Sequence, residues 1–205
     1  GGVRGGRGRR WRQRLRQEVR LRRLELGRRF GDPPDQAVGR VTPVTVSANA
    51  ERPWPAARPE LLEDVRTALC GYPTLHLFVG DDAAEIRGTF PVLGAHAEIL
   101  DEYRISITLT AGYPRALPIV REIGGRIPWT LDRHVLKSDG TCCVLLVDAR
   151  WEEFPEGASF RDYLAGPLRN YFIGQSIVEH GGEWPFGEWG HGNKGPLEYY
   201  GQLFG

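Results

Sequence analysis

Strict alternation of apolar and polar residues over residues 103–109 is the feature that most limits how this chain can fold. The two sets interleave without a break: Tyr103, Ile105, Ile107 and Leu109 alternate with Arg104, Ser106 and Thr108. Successive side chains of a β-strand point to opposite faces, so the pattern predicts a strand with one buried face and one solvated face. Such strands are typical of antiparallel sheets covered on one side, and the pattern argues against a parallel sheet buried on both faces.

Three further strands are predicted around this one, over residues 75–79, 86–92 and 118–123. Before them, Pro59 at a helix start and Gly71 after its last turn bound a short helix. After them, apolar residues recur at helical spacing from Phe160 to Phe172, with Ser159 as the predicted N-cap. Pro167 lies inside that pattern and should kink the helix or split it in two.

The predicted fold class is therefore α+β. It comprises an N-terminal helix, a four-stranded antiparallel meander and C-terminal helices, in one domain over residues 58–205. The tail of this domain is rich in glycine and aromatic residues, and we expect it to pack back onto the domain.

Residues 1–57 differ from the rest of the chain in charge and composition. Residues 1–40 hold thirteen arginines against four acidic residues, a formal charge of +9, and the whole chain carries +1. The spacing of apolar residues predicts a basic amphipathic helix over residues 9–30, followed by a proline-rich linker. Nucleic acid, an acidic membrane surface or an acidic protein would attract such a helix. A solvated arginine-rich extension with no partner explains the composition equally well, and we assign the helix no function.

Cysteine usage and hydropathy indicate a soluble protein in a reducing compartment, with the cytoplasm as the default. The chain has 3 cysteines among 205 residues, no C-x-x-C pair and no apolar run of membrane-spanning length. No histidine or cysteine pair has the spacing of a zinc site, apart from one vicinal cysteine pair. We expect no metal, no cofactor, and neither membrane nor nucleic acid as partner.

The chemistry of the chain is concentrated in residues 132–151. Asp139-Gly140 is a turn signal, the vicinal Cys142 and Cys143 follow it, and residues 144–147 form a short apolar run that we expect to enter the core. A thiol at such a place is accessible to a large partner while its backbone is held by packed residues, which suits a covalent carrier. The alternative is that both cysteines serve as small hydrophobic residues.

The order of elements and four local motifs resemble the ubiquitin-conjugating enzyme family over about residues 58–178, and the tail is similar to that of its bacterial members. The motifs are a Tyr-Pro step with a second proline after the third strand, a histidine before a Gly-x-x-Cys turn, a tryptophan eight residues beyond the cysteine, and a proline before the next helix. In this chain they are Tyr113-Pro114 with Pro118, His134 with Gly140 and Cys143, Trp151, and Pro155.

The resemblance implies that Cys143 is the nucleophile of a transferase and that Cys142 points inward. Its thiol would accept the C-terminal acyl group of a ubiquitin-like protein from an adenylating enzyme, as a thioester, and then transfer that group to an amine of a target protein. Bacterial relatives of the family commonly belong to antiphage defence operons, so defence is the biological role that the resemblance implies.

One motif departs from the family. The family has His-Pro-Asn, whose asparagine supports the oxyanion, whereas His134 is followed by Val135 and Leu136. The oxyanion donor is therefore expected to be a backbone N–H or a tail side chain, His191 or Asn193, although His191 could instead only fix its own loop. The crossing segment is the irregular stretch that follows the fourth strand and carries Cys143, and His134 itself either bonds the backbone of this segment or carries a proton.

Two other classes of function remain open from the residues. A non-catalytic module of the same fold would bind ubiquitin-like proteins without forming a thioester, and such modules lack the cysteine. A cysteine hydrolase would need a histidine base within hydrogen-bond reach of the sulfur, for which His134 or His191 is available.

Overall fold

The computed structural model describes residues 58–186 and 194–204. The predicted basic helix over residues 9–30 and the linker after it lie outside the described residues, and so do His191 and Asn193. The described elements, in chain order, are α1 (Pro59–Leu69), β1 (Leu75–Val79), β2 (Ala83–Leu93), β3 (Ile99–Thr110), β4 (Ile119–Glu122), a 3₁₀ turn (Leu131–Arg133), α2 (Arg150–Glu153), α3 (Phe160–Tyr163), a π-helical turn (Leu164–Leu168), α4 (Arg169–Glu179) and α5 (Lys194–Phe204).

The four strands form one antiparallel sheet in the order β1-β2-β3-β4. The predicted meander and the α+β class are thereby confirmed. Along β3 the four predicted apolar residues are at most 2% exposed. Ser106, on the opposite face, is also buried, and its hydroxyl donates a hydrogen bond to Glu85 Oε1 at 2.6 Å.

Aromatic side chains join the sheet to the C-terminal helices. The ring of Phe172 in α4 lies 5.6 Å from that of Phe90 in β2 and 4.6 Å from that of Tyr103 in β3, measured between centroids. Full burial of such a side chain stabilises the fold by about 1.5–3 kcal/mol. The helix face that was predicted from the spacing of aromatic residues therefore covers the inner face of the sheet.

Helix α1 packs beside this core. Pro59 occupies its first turn, and Leu62, Val65 and Ala68 recur at helical spacing on its buried face. The start of α3 also follows the prediction, because the Ser159 side chain accepts a hydrogen bond from the Asp162 N–H in a reciprocal capping box.

Pro167 interrupts the helical stretch as expected. It lies inside the π-helical turn that separates α3 from α4. Proline has no N–H to donate and its ring crowds the preceding carbonyl, and the wider π turn accommodates both effects within a continuous helical path.

Several element boundaries differ from the prediction. β2 begins at Ala83 rather than residue 86, and β3 begins at Ile99. The longer β2 includes Pro91, which β1 does not reach, since the β1 pairing ends at Gly88. A strand tolerates proline where no neighbour needs its N–H. The helices α2 and α5 were not predicted.

No helix within residues 58–186 or 194–204 is both long and apolar enough to cross a membrane.

Candidate functional site

A short hairpin holds the vicinal cysteines. The Leu136 N–H donates to the Thr141 carbonyl at 2.9 Å, and the Cys143 N–H donates to the His134 carbonyl at 2.7 Å. On the other side, the Cys142 N–H donates to the Val120 carbonyl of β4 at 2.8 Å. The hairpin is thus an extension of the sheet, and the backbone of both cysteines is fixed from two directions.

The turn of this hairpin depends on Asp139 and Gly140. Asp139 accepts hydrogen bonds from the Thr141 N–H and hydroxyl and from Arg121 Nη2, at 3.1, 2.7 and 3.0 Å. The bonds from Thr141, and then the Arg121 guanidinium, hold the pKa of this carboxyl below its ordinary value. Gly140 has φ +73°, a left-handed conformation that glycine adopts most readily. The sequence signal for this turn is therefore confirmed.

The two thiols lie in different environments. Cys142 is 5% exposed, which is the inward orientation expected of it, and burial raises the pKa of its thiol to about 11. Cys143 is exposed. Neighbouring protein atoms reduce the contact of the Cys143 sulfur with water. This desolvation, and after it the negative charge of Asp139, raises the pKa of the Cys143 thiol above its ordinary value. Both are therefore thiols at neutral pH, and only Cys143 is open to a partner.

His134 supports the crossing segment through its backbone. It caps the 3₁₀ turn in the left-handed conformation, with φ 49°. Its carbonyl accepts hydrogen bonds from the Cys143 N–H and from Tyr171 Oη, at 2.7 and 3.2 Å. Its ring packs against Trp184, with centroids 4.3 Å apart. The role of the His134 side chain, structural or proton-carrying, stays a prediction.

Helix α4 holds the same segment in place through the side chain of Gln175. Gln175 is fully buried, donates from Nε2 to the Arg133 carbonyl at 2.5 Å and accepts from Arg133 Nε at 2.8 Å. Such paired side-chain bonds tie the 3₁₀ turn to the helix over a sequence separation of about forty residues. The position of the hairpin is thus set by β4 on one side and by α4 on the other.

The first part of the tail packs onto this helix, as expected. The ring of Trp184 covers Gly174 so closely that a Cβ added there would lie 2.7 Å from ring carbons. Trp184 also contacts Tyr171, with ring centroids 5.8 Å apart. Further along, Tyr199 of α5 is 9% exposed and the Tyr200 hydroxyl donates to Asp148 at 3.1 Å.

Residues 144–147 follow the prediction from their apolar character only in part. Val144 and Leu145 are partly buried and pack against the core, whereas Val147 is 65% exposed. The reason is that β4 is already paired with β3 on one side and with the cysteine hairpin on the other, so this run has no strand to join. Trp151 lies in α2, and its side chain is not among those described.

A cavity of about 610 Å³ lies beside Cys143. Most of its walls are apolar, from residues 116–119, residues 144–147, the helices and the tail. Asn170 of α4 also lines it, is 8% exposed, and keeps its Oδ1 without a hydrogen-bond partner among the described residues. The sequence prediction missed Asn170. The available signal was an amide next to the aromatic pair Tyr171-Phe172 on a helix predicted to be buried.

The predicted oxyanion donors His191 and Asn193 lie outside the described residues, so their distance from Cys143 stays a prediction. Within residues 58–186 and 194–204, no group of three or more histidine, cysteine, aspartate or glutamate side chains could hold a metal ion.

No family model matches the chain, and no curated protein or solved structure matches it either.

Proposed function

We propose that the chain is a carrier enzyme with a ubiquitin-conjugating-enzyme-like fold, and that Cys143 is its acceptor. Its thiolate attacks the thioester carbonyl of a ubiquitin-like protein bound to an adenylating enzyme, a new C–S bond forms, and the thiolate of the adenylating enzyme leaves. An amine of a target protein then attacks the new thioester, the C–S bond to Cys143 breaks, and the amine loses a proton. The pathway would be a bacterial conjugation system of the antiphage type.

The observation that carries this proposal is the contrast between the adjacent thiols. Cys143 is exposed on a hairpin whose backbone is bonded at 2.7 Å to His134, while Cys142 is 5% exposed. A protein-sized acyl group needs an accessible sulfur on a rigid support. The helix-meander-helix order before and after the hairpin supports the fold assignment.

A raised thiol pKa is compatible with this chemistry. The incoming thioester is already activated, and a thiolate becomes more nucleophilic as its pKa rises, which offsets part of the loss from the smaller fraction of thiolate at neutral pH. Once formed, the thioester keeps the acyl group reactive toward an amine.

A cysteine hydrolase fits the described residues less well. Such enzymes activate the sulfur with a neighbouring imidazole that lowers its pKa, and they often use the backbone N–H of the nucleophile for the oxyanion. Here the surroundings raise the pKa of Cys143, its N–H is bonded to His134, and the His134 ring packs on Trp184. A non-catalytic binding module has no need of an exposed thiol on a rigid hairpin.

The test is a charging assay with ATP, an adenylating enzyme and a ubiquitin-like protein, resolved on a non-reducing gel. We expect a reductant-sensitive adduct that is lost in Cys143→Ala and largely kept in Cys142→Ala. Cys143→Ser should give a more stable ester, since an alkoxide is a poorer leaving group than a thiolate. An adduct that persists in Cys143→Ala and disappears in Cys142→Ala would refute the assignment of the acceptor.

A further inference from the structure

Helix α5 has one packed side and one open side. Tyr199 is buried, whereas Leu197 and Tyr200, three residues apart on the other side of the helix, are 71% and 46% exposed. The Tyr200 hydroxyl donates to Asp148 Oδ1 at 3.1 Å, which brings the exposed Val147 beside them. We call the surface formed by Val147, Leu197 and Tyr200 the α5 face. Apolar side chains that cluster at the surface, rather than lying singly, indicate a surface that another segment or protein covers.

Acidic side chains border the α5 face. Asp148 and Glu152 each bond a tyrosine of α5, through the hydroxyls of Tyr200 and Tyr199 respectively. Glu152 is exposed, and so is Glu198 of α5 itself. The occupant of the face is therefore expected to combine apolar side chains with positive charge.

The basic residues of the same elements do not cancel this charge. Arg150 of α2 is buried, and its guanidinium donates to the carbonyls of Pro114 and Arg115. Lys194 stands at the first residue of α5 and offsets one carboxylate. Four acidic residues, Asp148, Glu152, Glu153 and Glu198, stand against these two cations, so the charge around the face stays negative.

The chain itself contains a segment with the complementary properties. Residues 1–57 hold 14 arginines and 5 acidic residues, a formal charge of +9, so the +1 of the whole chain leaves −8 on residues 58–205. Within the helix predicted over residues 9–30, five apolar residues fall on one side: Trp11, Leu15, Val19, Leu26 and Phe30. We call residues 9–30 the arm. Its sequence offers both an apolar stripe and positive charge.

We propose that the arm docks on the α5 face of its own chain, with its apolar stripe against Val147 and Leu197 and its arginines toward the acidic border. Residues 31–57, which connect the arm to the domain, can extend over roughly 90 Å, whereas a domain of this size has a radius of gyration of roughly 15 Å. The arm therefore reaches the face. Tethering also holds it at a millimolar effective concentration, ahead of any separate basic partner.

Docking there places the arm beside Cys143. Val147 and Glu153 line the same cavity as Cys143, so the α5 face borders that cavity. Residues 1–57 contain no lysine, and the guanidinium of arginine stays protonated and is not a nucleophile. On the proposed function, the arm would therefore shield the thioester from amines without being acylated itself, until a basic target displaces it. The docking itself does not depend on that function.

Photo-crosslinking within the full chain tests the docking. Leu197 is replaced by benzoylphenylalanine, the protein is irradiated, and the crosslinked peptides are identified by mass spectrometry. The control carries the same group at Phe78 of β1, an exposed position three strand spacings, roughly 14 Å, from β4. We expect crosslinks from Leu197 to residues 9–30 at about five times the yield from Phe78 or more, falling several-fold as salt rises from about 50 to about 500 mM. Equal yields from the two positions would overturn the docking.

A mixture of chains with and without nitrogen-15 identifies the source of the arm. We expect each crosslink to join two peptides of the same isotopic composition. Crosslinks between labelled and unlabelled peptides would show that the arm docks on a second copy, which would overturn docking within one chain.

Neutralisation of the acidic border tests the charge contribution. Asp148→Asn with Glu152→Gln removes two charges and keeps an acceptor for each tyrosine, so we expect the crosslink yield from Leu197 to fall about threefold or more. Asp81→Asn with Asp82→Asn removes the same charge from the turn between β1 and β2 and should leave the yield unchanged. An equal fall in both variants would assign the attraction to net charge and contradict a site on the α5 face.

Substitutions in the arm test the apolar stripe. Leu15→Asp with Val19→Asp interrupts the stripe, whereas Gln13→Asp with Gln17→Asp adds the same charge on the opposite side of the predicted helix. We expect only the first pair to reduce the crosslinks to the level of the Phe78 control. Equal losses in both pairs would refute docking through the stripe. None of these measurements requires a thioester, so their failure and the failure of the proposed function are distinguishable.

Discussion

The backbone N–H of Cys143 donates to the carbonyl oxygen of His134 at 2.7 Å, across the neck of the hairpin. The next N–H, that of Val144, donates to the Cys142 carbonyl at 3.0 Å. Neither donor is therefore free to stabilise an oxyanion formed at the sulfur. If the proposed transfer uses a hydrogen-bond donor, it comes from elsewhere, and the predicted side chains of His191 and Asn193 remain the candidates to test by alanine substitution.

Alkylation should distinguish the two thiols. At pH 8, with a thiol pKa of about 11, roughly one molecule in a thousand carries the Cys142 thiolate. Iodoacetamide should therefore label Cys143 and the exposed Cys70 in the native protein and leave Cys142 unlabelled, as read by peptide mass spectrometry. Because the pKa of Cys143 is raised, its labelling should be slower than that of a free cysteine at pH 7 and should accelerate as the pH rises. Labelling of Cys142 ahead of Cys143 would contradict the burial of Cys142.

Removal of the charge of Asp139 should make Cys143 more reactive. A negative charge favours the neutral thiol, so Asp139→Asn should lower the pKa of Cys143 and speed its alkylation at pH 7 by a factor of about two to five at low salt, and less at high salt. Asparagine still provides an acceptor for the Thr141 N–H, so the turn is kept. Asp132→Asn is the matched control, since it removes an equal charge from the same segment without adjoining the thiol. Equal acceleration in both variants would assign the effect to net charge.

The parts of the fold that the sequence predicted are those in which local pattern and burial agree. β3 alternates through four core residues, and α1 and α3 carry a first-turn proline and a serine cap. The early part of β2 carried no such signal, because Ala83 and Ala84 are poor strand formers, and only the pairing of Ala84 with Val79 and Leu109 makes them a strand. Helix α5 was not predicted because it contains Gly195, Pro196 and Gly201, and glycine and proline have low helix propensity.

The site was predictable to the extent that it is encoded locally. The Asp139-Gly140 turn followed from adjacent residues, and the contrast between Cys142 and Cys143 was implied by the family resemblance. The role of Gln175 did not, because it depends on which helix face meets Arg133, about forty residues away in the chain. The exposed position of Val147 was mispredicted because apolar character alone does not say whether a neighbouring strand is available for pairing.

We expect that Trp184 can pack against α4 only because residue 174 is a glycine. An added Cβ would lie 2.7 Å from the Trp184 ring, which is held on its other faces by His134 and Tyr171 and has little room to move. We expect Gly174→Ala to lower the free energy of unfolding in urea by about 1–3 kcal/mol. Gly166→Ala is the control in the same helical stretch, where nothing lies within 4 Å of the added Cβ, and it should be neutral or stabilising by up to about 1 kcal/mol. Similar losses in both variants would mean that the Trp184 contact is not responsible.

The last prediction concerns the turn that precedes Cys143, the candidate nucleophile. Substitutions at two glycines allow the effect of backbone strain to be measured separately from the effect of a steric contact. Gly140 and Gly125 have nearly the same left-handed conformation, with φ +73° and +75°, so alanine at either position should cost roughly 1–2 kcal/mol of stability. At Gly125 nothing lies within 4 Å of the new Cβ, whereas at Gly140 it would meet the Trp129 ring at 2.5 Å. Trp129 is 51% exposed, so its ring can swing away, but it then uncovers the turn that leads into Thr141 and the cysteines.

We therefore expect the two variants to melt at similar temperatures while only Gly140→Ala changes the alkylation rate of Cys143, by several-fold at pH 8. The sign is an increase, because an uncovered turn exposes the thiol to more water, which favours the thiolate. An equal change in Gly125→Ala would attribute the effect to loss of global stability. No change in either variant would show that β4 and α4 hold the hairpin firmly enough without Trp129, through the hydrogen bonds that join Cys142 to Val120 and Gln175 to Arg133.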